Sequence, residues 1–280
     1  MSSTSVSFPR NSAEPMCTVS QPAEPGLWIL SMHNTHNGLT DNRLTPDFIK
    51  LAMLPALDHI ELEFRQAWNK GQKEAALILT GETKQHKFFS NGLQLDLVPD
   101  CPGFFRDYYY ALMSRILTFP MHVIAAINGH CYAGGFCLMT CCDYRIFKGE
   151  RAYASMNELI FGAPLPKGMA AVLKTRLPTM SVFDKVMLTA HRFVSSDALK
   201  DGIVDEVVPG NDGSKVVERA MQVARERMKF STSGALSAIK QTLYSDAIEA
   251  LSHDENMWSP IEQHDERLKV LIAAATTAKL

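Results

Sequence analysis

The stretch NGHCYAGGFCLMTCCDYRIF, Asn128 to Phe147, sets two adjacent glycines, Gly134 and Gly135, inside an apolar, cysteine-rich run. Glycine within a regular element costs roughly 0.5–1 kcal/mol relative to alanine, so a pair there calls for a reason that only a missing side chain can supply. The residues before the pair, HVIAAINGH, read as a buried strand, and those after it, FCLMTCC, read as a helix. A strand, a glycine turn and a helix together aim backbone N–H groups outward from a helix start, where they carry a partial positive field. No side chain then blocks an approaching oxygen.

The same shape occurs earlier, in ILTGETKQHKFFSNGLQLDL, where AALILTG (Ala75 to Gly81) is a continuous apolar run of the kind buried on both faces of a sheet. Neither copy has the spacing of a phosphate loop, G-x-x-x-x-G-K-[ST] or G-x-G-x-x-G. Two separate N–H donors suit instead a single oxygen that becomes negative during a reaction.

Working outward, the 280 residues are 46% hydrophobic and 21% charged, an ordinary globular composition. Lys and Arg are scattered and the formal net charge is −2, so there is no basic footprint for nucleic acid. No window of about 18 uncharged apolar residues exists, and no membrane span is expected. Four of the six cysteines (Cys131, Cys137, Cys141, Cys142) crowd into the central segment without the paired spacing or histidine partners of a zinc site. They read as buried reduced thiols, and no metal is expected. The histidines of HNTHN, His33 and His36, fall among turn residues and read as a surface loop.

Residues 1–24, rich in Ser and Pro, read as a flexible N-terminal arm. GLWILSM (Gly26 to Met32) is a strand; Thr45 and Pro46 open a helix that Pro55 should kink or restart, and Leu57, Ile60, Phe64 and Trp68 share one face of its continuation. GFFRDYYYALMSRILTFP is a helix stopped by Pro120, its aromatic run being core packing. Short strands and helices then alternate to IVDEVVP (Ile203 to Pro209), the pattern of an α/β fold around a mostly parallel sheet over residues 25–210. From residue 211 to 280 everything reads helical. The chain closes in Ala278-Lys279-Leu280, a small-basic-Leu form of the S-K-L peroxisomal address.

FFSNGLQLDL followed by NGHCYAGGFCLMTCCDYRI resembles the crotonase (enoyl-CoA hydratase/isomerase) superfamily, and the likeness runs from the Trp28 strand to SSDALKDGIVDEVVP. With the MNE of Met156 to Glu158, it is most similar to the Δ3,Δ2-enoyl-CoA isomerases. The resemblance implies a ββα spiral core with a C-terminal helical trimerisation region, hence a homotrimer or hexamer. It assigns an oxyanion hole to the N–H of Leu93, after Gly92, and the N–H of Gly134, and the catalytic carboxylate to Glu158. It places Lys84 and Lys87 toward the nucleotide end of an acyl-CoA substrate, with Asn91, Gly92 and Gly135 beside the ligand. Asn91 stands where many relatives have Ala, so its amide serves either the ligand or the loop alone. GAPLPKGM replaces the hydratases' glycine-rich run, which implies a different acyl pocket.

The chemistry matches these residue types. Moving a double bond from C3 to C2 requires taking a proton from C2 beside a thioester carbonyl and returning one to C4. Two aimed N–H donors stabilise the enolate oxygen, and a desolvated carboxylate makes a base; Glu158 sits in sequence among Met156, Leu159, Ile160 and Phe161. An arbitrary Glu at a helix start is an ordinary solvated carboxylate, and it is the motif that favours catalysis here. Hydratases use a second glutamate where this chain has Cys137, whose expected role is packing. No cofactor is called for, coenzyme A being part of the substrate. The expected function is therefore an enoyl-CoA delta isomerase of fatty-acid β-oxidation, carried to the peroxisome by an import receptor that reads Ala278 to Leu280, or otherwise cytoplasmic or mitochondrial. A hydratase-like acyl-CoA enzyme and a non-catalytic acyl-CoA-binding or assembly protein are the alternatives.

Overall fold

The computed structural model describes residues 4–82 and 87–277. The chain opens with strands β1 (Thr4–Phe8), β2 (Cys17–Gln21) and β3 (Leu27–Met32), which pair antiparallel in that order. The flexible arm expected for residues 1–24 is thereby corrected. Val6, Phe8, Cys17 and Val19 join the core, and the backbone of the segment is satisfied by a sheet edge rather than by water.

Thr45 opens the next helix by accepting the Phe48 N–H at 3.0 Å, and a π-helical turn over Phe48–Met53 leads into α1 (Leu54–Asn69). Pro55 falls in the first turn of α1, where its missing N–H matters least, so the wide turn delivers a restart and not a break. There follow β4 (Ala76–Gly81), β5 (Phe88–Ser90), α2 (Tyr110–Leu117), β6 (His122–Ile127), β7 (His130–Tyr132), α3 (Gly134–Thr140), β8 (Tyr144–Lys148) and β9 (Ala154–Ser155).

Two sheets result. β3, β4, β6 and β8 run parallel in the larger sheet, which ends at β10 (Glu206–Val208), while β5, β7 and β9 form a small parallel one. Each turn of the chain thus lays one strand in the large sheet and the next in the small sheet before entering a helix, which is the ββα spiral expected. Glycine makes the corners. A Cβ on Gly81 would lie 2.4 Å from the Phe88 carbonyl oxygen, and one on Gly129 2.5 Å from that of Lys87. Asn128 ties the corner by donating to the carbonyls of Gly81 and Glu82.

The continuous apolar reading of β4 is explained by burial on both faces. Ala76 and Ile78 meet α8 (Gly213–Arg227) through Val216, Ala220 and Val223, and Leu77 and Leu79 face the opposite core. Between β9 and α8 lie α4 (Glu158–Phe161), α5 (Lys167–Arg176), α6 (Met180–Leu188) and α7 (Ser195–Lys200); α9 (Leu236–Leu243), α10 (Ser245–Leu251) and α11 (Ser259–Thr277) complete the helical end. No residue of α11 is buried, and Ile261, Leu268, Leu271 and Ile272 are all exposed.

One buried ion pair fastens α9 to the core. The Lys240 ammonium, 3% exposed, donates to Asp143 at 2.6 Å and to the carbonyls of Phe119 and Met121 at 3.1 Å each, while Asp143 also accepts the Val123 N–H. This gives Asp143 its structural role. Removing one partner of such a pair strands the other, at about 3–5 kcal/mol. Lys240→Met should lower the urea midpoint accordingly, and adding Asp143→Asn should recover part of the loss; a change under about 1 kcal/mol would show that water reaches Asp143 in the folded protein.

Candidate active site

Both glycine turns arrive at one place. In the first, β5 ends at Ser90 and the chain crosses Asn91, Gly92 and Leu93 pinned against residues 41–44: the Asn91 N–H donates to the Asp41 carbonyl at 2.9 Å, the Leu44 N–H to that of Gly92 at 2.8 Å, and Leu44 bridges Leu93. Ser90 Oγ accepts the Gly92 N–H and donates to the Asn42 carbonyl. In the second, Ala133 takes a φ of +50°, which L residues rarely adopt. The conformation is held by its N–H on the Ser155 carbonyl at 2.9 Å, and it turns the chain directly into the first helical residue, Gly134. The Tyr109 hydroxyl donates to the Gly134 carbonyl at 2.6 Å and fixes that peptide from behind.

The contact between the turns explains the glycines. A Cβ on Gly92 would lie 2.8 Å from the Ala133 Cβ and 2.9 Å from the Gly134 nitrogen, and one on Gly134 would lie 3.0 Å from the Leu93 side chain. On Gly135 it would meet the Ser90 carbonyl oxygen at 2.7 Å. The loops touch because three side chains are absent.

Leu93, Gly134 and Glu158 line one cavity of about 300 Å³, together with Asn91, Ala133, Asn157, Pro164, Pro166 and Met169. Glu158 is the first residue of α4 and only 6% exposed; its Oε2 has no hydrogen-bond partner among the described residues. Burial pushes its carboxyl up to about 7, opposed only in part by its own backbone N–H. The source of that burial differs from the sequence expectation. Leu159 and Ile160 are largely exposed, Ile160 by 75%, and Phe161, half exposed, lines the cavity; fully buried Tyr109 and Cys137 are close enough to feel the Glu158 charge. Cys137 is fully buried, with Sγ 3.7 Å from the Met156 sulfur and its thiol held well above the usual range by burial.

Not every expected residue joins. Lys87 is exposed with its ammonium over the Phe88 ring, and it does not line the cavity. Lys84 and Ala278 to Leu280 lie outside the described residues. Asn91 serves the loop, donating to Asp41 Oδ2 at 2.9 Å, and also reaches the cavity wall. Three lining residues carry no local sequence signal: Arg43, whose Nε donates to Asp41 at 3.1 Å at the mouth; Asp96, exposed on the rim; and Met257, brought from the far end of the chain.

Two glycine turns and a buried carboxylate thus meet on one cavity. The enoyl-CoA hydratase/isomerase family signature matches residues 57–277. The chain belongs to the enoyl-CoA hydratase/isomerase family. Within it, the chain is 28% identical over 211 residues to enoyl-CoA delta isomerase 1, peroxisomal, of Arabidopsis thaliana, covering 74% of this chain and 81% of that one. It is also 28% identical over 218 residues to carnitinyl-CoA dehydratase of Salmonella typhi, covering 75% and 79%. Among solved structures, a ligand-free enoyl-CoA isomerase of Mycobacterium tuberculosis superposes with a TM-score of 0.65 at 26% identity, over 83% of this chain and 93% of that one. The family's crotonase fold accounts for the spiral.

Proposed function

We propose that this family member is a Δ3,Δ2-enoyl-CoA isomerase. The observation that carries the reading is Glu158: one buried carboxyl raised to about 7, its Oε2 without a hydrogen-bond partner among the described residues, in the same cavity wall as Leu93 and Gly134, with the thiol of Cys137 where a hydratase needs a second carboxylate. In this reading the thioester oxygen sits between the N–H groups of Leu93 and Gly134, which stabilise it as an enolate. Ionised Glu158 takes a proton from C2, the electron pair moves to the enolate, and collapse shifts the double bond to C2=C3 as Glu158 returns the proton to C4. One carboxyl suffices because both carbons lie on one face. Gly92 and Gly135 let the two turns close on each other, and Arg43 in the cavity wall, with exposed Lys87, offers a cation to the phosphates of coenzyme A. No cofactor is required. The same reading gives α11 a trimer or hexamer of this chain as the cover for its exposed apolar residues, and gives Ala278 to Leu280 a peroxisomal import receptor.

Asp96 favours a second reading. An exposed carboxylate on the cavity rim could hold a water molecule for addition across a C2=C3 bond, as in a hydratase-like enzyme. Purified protein offered 3-enoyl-CoA and 2-enoyl-CoA in parallel separates the two. We expect double-bond shift on the first and negligible water uptake on the second; fast hydration without shift would overturn the isomerase assignment.

A further inference from the structure

The reacting cavity is small. About 300 Å³ is at the low end for ligand pockets, and it must hold the thioester, the carbons that react and the neighbouring end of the coenzyme arm. An acyl tail of any length needs another place. Beside it lies a second cavity of about 570 Å³, with apolar walls from Val98, Pro99, Pro102, Phe104, Phe105 and Trp258. The two share one wall residue, Met257, which is 4% exposed.

Resting on the isomerase reading, we infer that Met257 is the gate through which the substrate's acyl tail passes from the reacting cavity into this apolar annex, and that the gate sets chain-length preference. Three observations point the tail this way. Arg43, a cation suited to the anionic end of the substrate, lines the reacting cavity and not the annex. The annex rim instead carries Asp254, Glu255 and Glu262, which repel a phosphate but leave a hydrocarbon indifferent. Two of those carboxylates are also turned to the protein: Glu255 accepts from the Tyr110 hydroxyl and from the N–H groups of Lys167 and Gly168, and Asp254 faces the Arg106 N–H. Glu255 thereby latches the segment that carries Met257 against the start of α5, leaving the buried Met257 side chain as the wall that the two cavities share. An unbranched side chain with three rotatable bonds is suited to swing aside at little cost.

The test uses the full-length protein and pairs of substrates, C6 against C14, read as the ratio of kcat/KM, with the Kd ratio of the saturated acyl-CoAs measured by calorimetry. Each methylene that gains an apolar wall is worth about fourfold. Met257→Ala should raise the C14-to-C6 ratio several-fold, and Val98→Trp, which fills the annex from a position outside the reacting cavity, should lower it at least tenfold in both measurements. Ratios within twofold of wild type in both variants would overturn the gate. If instead no chain length shows a double-bond shift while the Kd ratios still move as stated, the isomerase reading fails and the gate stands.

Discussion

Glu158→Gln should lower kcat for the double-bond shift by about 10²- to 10⁴-fold, the range for losing a positioned general base, with KM changed far less. The amide keeps the shape of the side chain and cannot take the C2 proton. Two pH measurements accompany the rate. Wild-type kcat should climb through about pH 7, because burial holds the carboxyl there and only the ionised form is a base. Stability should move the other way. The folded state holds this proton more tightly than the unfolded chain, so the group favours folding in acid and that contribution fades as pH rises from about 4.5 to about 7, by about 3 kcal/mol in all. Glu158→Gln has no such titration, so its Tm relative to wild type should increase between pH 4.5 and pH 8. A constant Tm difference across that range would mean that Glu158 is not desolvated, and turnover within threefold of wild type that it is not the base.

Gly92→Ala should cost about 10²- to 10³-fold in kcat, the loss typical of one misplaced oxyanion donor. The new methyl would sit 2.8 Å from the Ala133 Cβ and 2.9 Å from the Gly134 nitrogen, so it separates the two turns whose N–H groups must meet one oxygen. Gly92 also has a φ of +86°, so part of any stability loss is conformational. Gly38→Ala supplies the control, since Gly38 has a φ of +75° with nothing within 4 Å of an added Cβ. It should lose stability by about 1 kcal/mol and keep full turnover. Equal activity losses in the two variants would mean that the contact between the turns does not position the donors.

Much of this was legible because the informative residues are local. A glycine pair after a buried strand, and a glutamate in a short helix two strands later, are read from one continuous stretch, His122 to Glu158. What escaped depends on distant partners. TSVSF and CTVSQ have only a weak alternation, Val6 with Phe8 and Cys17 with Val19, and become strands because each pairs along its length with a neighbour. Composition rich in Ser and Pro argued for disorder there, and tertiary pairing overrode it. Arg43 and Asp41 matter through Asn91, fifty residues away from Asp41, and Met257 through a fold-back from the chain's far end. Lys87 stands outside the reacting cavity, exposed, with its ammonium over the aromatic face of its neighbour Phe88, a contact no local pattern announces. The apolar residues after Glu158 were expected to enclose it, whereas a single helical turn points Glu158 inward, leaves Leu159 and Ile160 outside and brings only Phe161, half exposed, to the cavity wall.

The cysteines carry a practical consequence. All six are free thiols, and five are shut away from solvent, so no disulfide holds the shape of the protein. Only Cys101 is partly open, and it stands on the wall of the annex. Nature has left a single chemical handle, placed where a dye or a spin label attached to it would watch the far end of a bound chain.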